Sequence, residues 1–508
     1  MTFRTLCYGS VNRRHLQFIL SGPVADQIEI LKGPSTLLYG SGAIGGVVNV
    51  VDGRIPQTAP ANGFSGRTQI NYDSVSDGGT AMFRVDGGGD GFALHADGLD
   101  RHDNDYDIPG GTLDNSWVHT KAGALGGSLL GDWGYVGLAV ERYLNDYGSP
   151  AEPGNPAEGE PPVRIGMEQT RYDLKGALNN PLPAIDKAEL SFGHTDYQHI
   201  EFEGDEAGTT FTNDANEGRL LFTHAPLADW LGAFGVQAFH RDFAALGEES
   251  FVPPTTTKGI GLFVTEQKEF GAFKLDLGAR GDNQSSKPEG GSERDFHPLS
   301  LSGGLAWRFH EAWHLTVNLD RAQRAPAEEE LFANGPHLAS ETFEIGDPNL
   351  KEETANQIEP GLHYHGEWIE AKVAAYYNRY DDFIYPWNTS SAEEIQKRFP
   401  RARVVGAFKN VWWEVFDQPK FDGGLSDVYV VTDHDASRRE FLNLVDGAPF
   451  RFIDAGRLYN ARFVERMTLF AAELGQRQGY FPRMNWRLLG EPWTVGKVDR
   501  VGHLIARN

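Results

Sequence analysis

From Phe64 to Asp73 the polar residues Arg67, Gln69, Asn71 and Asp73 alternate with Gly66, Thr68, Ile70 and Tyr72. A two-residue period is that of a strand whose two faces meet different surroundings. The pattern recurs. Gln169, Arg171, Asp173 and Lys175 oppose Tyr172 and Leu174; Phe273, Leu275 and Leu277 oppose Lys274 and Asp276; Leu315, Val317 and Leu319 oppose His314, Thr316 and Asn318; residues 370–378 repeat it. Tight turns are expected at Gly131–Gly134 and at Asp186-Lys187, and longer polar loops at 145–162, 201–216, 283–295 and 325–353. Short turns on one side and long loops on the other are the layout of a transmembrane antiparallel β-barrel, here of roughly 14 to 16 strands. A sandwich or propeller stays open on periodicity alone, although no blade-like repeat is visible.

The period changes after residue 390. Residues 392–399 predict an amphipathic helix, and 400–408 lead into a short strand. Val428–Thr432 predicts a buried strand, 435–445 a helix, 450–454 another strand, and 461–476 a helix with Phe463, Val464, Met467, Phe470 and Leu474 on its apolar positions. Helix and strand in alternation predict a parallel α/β sheet, hence a second architecture.

Composition narrows the choice. No run of 18 apolar residues is present, so no transmembrane helix is available, whereas a barrel hides its apolar band in alternation. Sixty glycines and 12% aromatics favour many turns and interfacial rings. A net charge of −25 argues against nucleic-acid binding and suits a polar lumen with acidic loops. The single cysteine, Cys7, allows no internal disulfide. Residues 1–21 carry basic residues mid-stretch and no continuous apolar core, so they do not qualify as a secretory signal.

The most informative stretch is residues 27–51. Ile28–Leu31 and Val47–Val51 are β-branched or apolar runs flanking Gly33-Pro34 and a glycine cluster from Gly40 to Gly46. Gly40, Gly42 and Gly45 fit G-x-G-x-x-G, but a valine run follows where a dinucleotide site needs a helix, and Asp52 comes too early for its acid. The segment closely resembles the end of the plug domain of TonB-dependent outer-membrane receptors, through Gly33, Pro34, Tyr39, Gly40, Gly45, Gly46 and Asn49. Arg324-Ala-Pro with Glu330-Leu-Phe, Gly335-Pro-His337, Gly346-Asp-Pro-Asn-Leu350 and Tyr376–Tyr385 resembles a late-barrel signature of the same family. The resemblance implies an outer-membrane location, lipid contact, transport of a scarce nutrient past a plug, and a TonB-type energising partner. It also implies a larger barrel than residues 54–385 supply, so the expected organisation is an unassigned stub (1–22), a plug remnant (23–53) and a partial barrel (54–385). The family's TonB-contact box is not seen in residues 1–22, and the chain is expected to begin partway through its domain.

Residues 390–508 resemble the second half of coenzyme F420-dependent NADP reductases, through Pro400–Phe408, Thr432-Asp-His-Asp-Ala436 and Asp454-Ala-Gly-Arg-Leu-Tyr-Asn-Ala-Arg462. Lys409 stands where that family's Asn falls. The resemblance implies a Rossmann-like half-domain fused near 385–389, without the glycine loop that seats NADP phosphates, and so no hydride transfer. A soluble oxidoreductase carried by the tail is the competing class.

For candidate chemistry, His199, Glu201 and Glu203 recur at two-residue spacing, about 7 Å apart on one strand face. Imidazole and carboxylate could hold a divalent cation there; the plainer reading is a polar lumen strand. His102, within the acidic run 100–107, and His337 with Glu344, in the signature loop, are further candidate ligands, with zinc the leading cargo and a siderophore or haem-like ligand the competitor. No catalytic residue or resident cofactor is expected.

Overall fold

The computed structural model describes residues 25–31, 33–150, 162–247, 250–337, 342–385, 391–421, 424–480 and 483–488. The chain divides into two compact units, with the boundary between Ile384 and Tyr385. No helix among the described residues is long and apolar enough to cross a membrane.

The first unit opens with a hairpin, β1 (Gln27–Leu31) and β2 (Val47–Val51), paired from Gln27↔Val51 to Leu31↔Val47. A linker then leads into one large antiparallel sheet. Its strands are β3 (Phe64–Asp73), β4 (Gly78–Gly89), β5 (Phe92–Asp103), β6 (Val118–Gly131), β7 (Gly134–Gly148) and β8 (Val163–Leu182). They continue as β9 (Ile185–Glu203), β10 (Glu206–His224), β11 (Leu231–Leu246), β12 (Thr255–Phe270) and β13 (Phe273–Pro288). The wall ends with β14 (Leu299–His310), β15 (Trp313–Arg324), β16 (Glu353–His365) and β17, which runs Glu370–Ala374 and resumes at Tyr377–Asp381. Counting Arg294–Phe296 with β14, because both pair with β13, the described wall has 15 strands.

Alternation drives the wall. Leu262 is exposed on the outer face while its neighbour Phe263 is buried inward, and the same contrast separates Leu138 from Gly137. Outward rings gather at the short-turn rim: Phe270 stacks near Phe273, Phe273 near Trp307, and Trp313 meets Tyr364. That is the aromatic girdle of a membrane barrel.

Two loop expectations need correction. Residues 201–216 are a hairpin, not a loop: β9 runs to Glu203, β10 starts at Glu206, and Gly204 (φ 60°) makes the turn. Likewise β13 continues to Pro288. β8 to β10 are 20, 19 and 19 residues long, about twice what a bilayer needs. Above the lipid the outward face no longer has to be apolar, so alternation fades and the sequence reads as loop. The turn expected at Asp186-Lys187 falls instead at Pro183-Ala184.

The strand order is that of a closed barrel, with β3 next to β17. Yet the ladders run from β3–β4 round to β16–β17, and among the described residues no register joins the two ends. Every residue of β3 is exposed on both faces, as are those of β17 except the last.

The second unit holds α2 (Ser391–Arg398), α3 (Trp413–Asp417), β18 (Asp427–Val430), α4 (Asp435–Leu444), β19 (Arg451–Asp454) and α5 (Ala461–Gln478). β18 and β19 are parallel, in register from Asp427↔Arg451 to Val430↔Asp454. Val431, Leu458, Ala461 and Val464 bury together with Ala392. Residues 400–408 form no strand; Gly406 contributes one antiparallel bridge to Val431. Two parallel strands around one helix are an α/β unit, short of the Rossmann-like half-domain that the resemblance implied.

Candidate functional site

The site is the contact between the hairpin segment and the inner face of the wall. Gly33 and Pro34 open a 3-10 turn, Gly33–Tyr39, between the hairpin strands. Gly40 (φ 115°) and Gly46 (φ 133°) occupy a backbone region that disfavours side chains, so both turns need glycine. Gly45 has an ordinary φ and open space beside it. Within the hairpin, Asn49 lies opposite Glu29 and donates to its carboxylate at 2.8 Å. Val47–Val51 is a strand, which removes the dinucleotide reading of the glycine cluster.

Three wall strands reach onto the backbone of this segment. Arg280 of β13, itself held by Asp282, donates to the Leu37 carbonyl at 3.1 Å. Arg219 of β10 donates to the Leu38 carbonyl at 3.0 Å, and Gln357 of β16 to the Ile44 carbonyl at 2.9 Å. Leu37 and Tyr39 are buried there. Burial pushes the Tyr39 phenol up to about 12, against the pull of Arg219. The two arginine bonds are charge-assisted and stabilise by roughly 1.5–3 kcal/mol each.

The linker is held by a second, denser cluster. Arg54, 4% exposed, contacts Glu141 of β7 at 2.6 Å, Asp97 of β5 at 3.1 Å and Asp52 at 3.7 Å. Burial alone lowers its pKa, but the Glu141, Asp97 and Asp52 carboxylates outweigh that and keep it charged. The His95 ring bridges Asp86 (2.7 Å) and Asp97 (2.9 Å). Arg84 bonds Asp86, Asp26 and the Asp52 carbonyl, tying hairpin base and linker to β4. A Cβ on Gly126 would sit 1.9 Å from the Arg54 carbonyl oxygen, so the linker lies flat on β6 only because glycine is there. A cavity of ≈ 370 Å³ lined by Asp26, Asp52, Arg84, Asp86 and Lys175 adjoins the cluster.

A loop between β15 and β16 carries α1 (Glu328–Phe332). Glu330 takes two bonds from Arg324 at 2.9 Å each, and Glu328 pairs with Arg241 of β11. Asn334 donates its backbone N–H to Phe251, docking this loop on the one after β11. Glu329 is held well above the usual carboxylate range by burial, with the Glu328 charge adding to it.

The proposed metal ligands are not assembled as a set. His199 and Glu201 share a face of β9 at 3.9 Å, but the His199 ring stacks on Phe211 and its Nδ1 lies 2.9 Å from the Tyr197 hydroxyl. Glu203 sits at the hairpin turn opposite Glu206. His102 lies on β5, not in a loop, stacked on His119 at 3.9 Å. Glu344 faces Gly335 and His337 faces Thr342 in a short ladder; the His337 side chain lies outside the described residues. Among the described residues no group of three His, Cys, Asp or Glu could hold a metal ion. Sequence reasoning missed Arg54, Arg219, Arg280 and Gln357; the available signal was a charged or amide residue on the polar face of an otherwise alternating strand.

Residues 52–393 match the family described as TonB dependent receptor-like, beta-barrel. The chain belongs to that family. It is an outer-membrane family of transport receptors, not of enzymes. The chain is 24% identical over 376 residues to the iron-regulated outer membrane virulence protein of Vibrio cholerae, covering 71% of this chain and 53% of that protein. It is 25% identical over 385 residues to the hemin receptor of Yersinia pestis, covering 68% and 54%. Its fold is similar to the copper transporter OprC (18% identity, TM-score 0.60, 72% of this chain and 60% of that one). It is also similar to the FrpB iron transporter of Neisseria meningitidis in its F5-1 variant (15%, TM-score 0.59, 71% and 62%). The chain spans about half the length of the curated relatives it matches.

Proposed function

We propose that this chain is the plug-end and barrel portion of a TonB-dependent outer-membrane receptor for an iron-bearing ligand, namely iron itself, haem or a siderophore chelate. The observation that carries this is the hairpin segment gripped by Arg219, Arg280 and Gln357 inside a wall of lipid-facing strands. A pore stopper held by a few buried polar bonds is tight at rest and removable by a pulling partner, for which a TonB-type protein is the proposed agent. The relatives named for a hemin receptor and an iron-regulated protein favour an iron-bearing cargo over the zinc that the histidines alone suggest. His337 and Glu344 remain proposed ligand-loop residues. The test is titration of hemin, a ferric siderophore and Zn²⁺ into the full chain reconstituted in lipid vesicles. Saturable hemin or siderophore binding, weakened by His337→Ala, is expected; saturable binding of Zn²⁺ alone would replace this reading.

A second reading concerns the tail. The parallel β18–α4–β19 unit favours an α/β module of reductase ancestry without hydride transfer. Without the glycine loop such a module binds no NADPH; saturable NADPH binding to the full chain, reversed by excess NADP, would instead favour the soluble oxidoreductase.

A further inference from the structure

The short-turn rim of the wall carries a row of basic side chains on its inner face. Gln357 of β16 faces the lumen, because it meets the Ile44 carbonyl. His363 and His365 lie on the same face of that unbroken strand, His363 about 20 Å further towards the rim. His314 of β15 is directly opposite His363, which in turn is directly opposite Lys372 of β17. Arg308, in the irregular stretch of β14 between Trp307 and His310, lies on the other side of His314. Two imidazoles thus sit between two permanent cations in one row across four strands, beside the turns that face the periplasm in membrane barrels of this kind. The His314 ring stacks on both His363 (4.3 Å, 16°) and His365 (5.1 Å, 11°). His363 Nε2 lies 3.3 Å from the Thr316 hydroxyl, and His365 Nδ1 lies 3.6 Å from Glu370. Neither ring nitrogen of the half-buried His314 is hydrogen-bonded among the described residues.

We propose that this row is an exit station for haem, with His314 the axial ligand to the iron and Arg308 and Lys372 the partners of the haem carboxylates. The donor set decides the ligand class. A bare divalent cation takes three or four protein ligands, and no such group is assembled among the described residues. A siderophore that wraps its ferric ion completely leaves no position for imidazole. Haem supplies the equatorial nitrogens itself and leaves an axial place that a single imidazole fills. Its propionates are anions, which the flanking cations suit. His363, fixed by Thr316, and His365 back the His314 ring and are positioning residues. The inference rests on the iron-bearing cargo proposed above and narrows it to haem, which meets the row after passing the plug.

The test uses the full chain carrying His337→Ala, which removes the proposed loop ligand, reconstituted in phosphatidylcholine vesicles and titrated with hemin. After reduction, resonance Raman spectra should show an iron–imidazole stretch. His314→Gln and His314→Gly should each abolish it and weaken hemin binding by roughly tenfold or more. Free imidazole should restore the stretch in His314→Gly, a rescue that a merely structural histidine would not show. Arg308→Gln and Lys372→Gln should each weaken hemin binding by about two- to fivefold and leave binding of hemin dimethyl ester unmoved. No stretch in the His337→Ala chain, a stretch that survives His314→Gln, no rescue by imidazole, or equal losses for hemin and its ester each overturns the proposal. Saturable hemin binding by the unsubstituted chain alongside any of those results would leave the iron-cargo reading standing, whereas saturable binding of Zn²⁺ alone would mean that reading itself has failed.

Discussion

Removing the Arg54 guanidinium tests the plug–wall contact most severely. The residue is buried, and so are Asp97 and Glu141, which it holds at 3.1 and 2.6 Å. Arg54→Ala leaves those carboxylates and Asp52 beside one another without the guanidinium they share. Breaking a buried ion pair from one side costs about 3–5 kcal/mol, far more than the same pair is worth against apolar substitutes. If that cost falls on docking of the linker, the undocked population rises by a factor of roughly 150 to 5,000. The assay is hydrogen exchange of residues 27–51 in the reconstituted chain, with β8 to β13 as internal reference. Accelerated exchange confined to the hairpin is expected, and adding Asp97→Asn and Glu141→Gln should restore much of the protection because the two buried carboxylates nearest the lost guanidinium are then neutral. Hairpin exchange unchanged in Arg54→Ala, or equal acceleration throughout the wall, would refute the latch.

Other outcomes follow from the same contacts. Arg280→Ala and Arg219→Ala should each loosen the Gly33–Tyr39 turn by roughly 1.5–3 kcal/mol, read as easier proteolysis within it. Gly126→Ala should push the linker off β6 at a cost of about 1–3 kcal/mol, measured as a lower unfolding midpoint in urea. Glu329, raised to about 8, binds its proton more tightly folded than unfolded. Its contribution is therefore complete below the ordinary carboxylate pKa and is lost as pH rises towards about 8; Glu329→Gln should flatten that dependence in thermal melts.

The strands were legible wherever lipid faced one side. Phe64–Asp73 was read residue for residue because Ile70 and Tyr72 alternate cleanly with Gln69 and Asn71. Where β9 and β10 rise into water, the selection for alternation lapses, so Glu201–Asn216 looked like loop. The hairpin was legible because glycine at 40 and 46 is forced by backbone geometry, not by packing. The grip on it was not: Arg219, Arg280 and Leu37 are far apart in sequence, and nothing local marks a lumen arginine as the one that meets a carbonyl. His199 illustrates the reverse error. Its spacing from Glu201 suggested coordination, but cross-strand Phe211, which no spacing rule on one strand can supply, takes the ring into a stack.

The most direct measurement is a nitroxide scan along residues 259–265 of β12 in the vesicle-reconstituted chain, reading oxygen and water accessibility at each position. Ile260, Leu262 and Val264 should report lipid, and Gly261, Phe263 and Thr265 the packed lumen, in strict two-residue alternation. Uniform water accessibility along the stretch, or a helical period, would contradict a membrane-spanning wall around a stoppered pore.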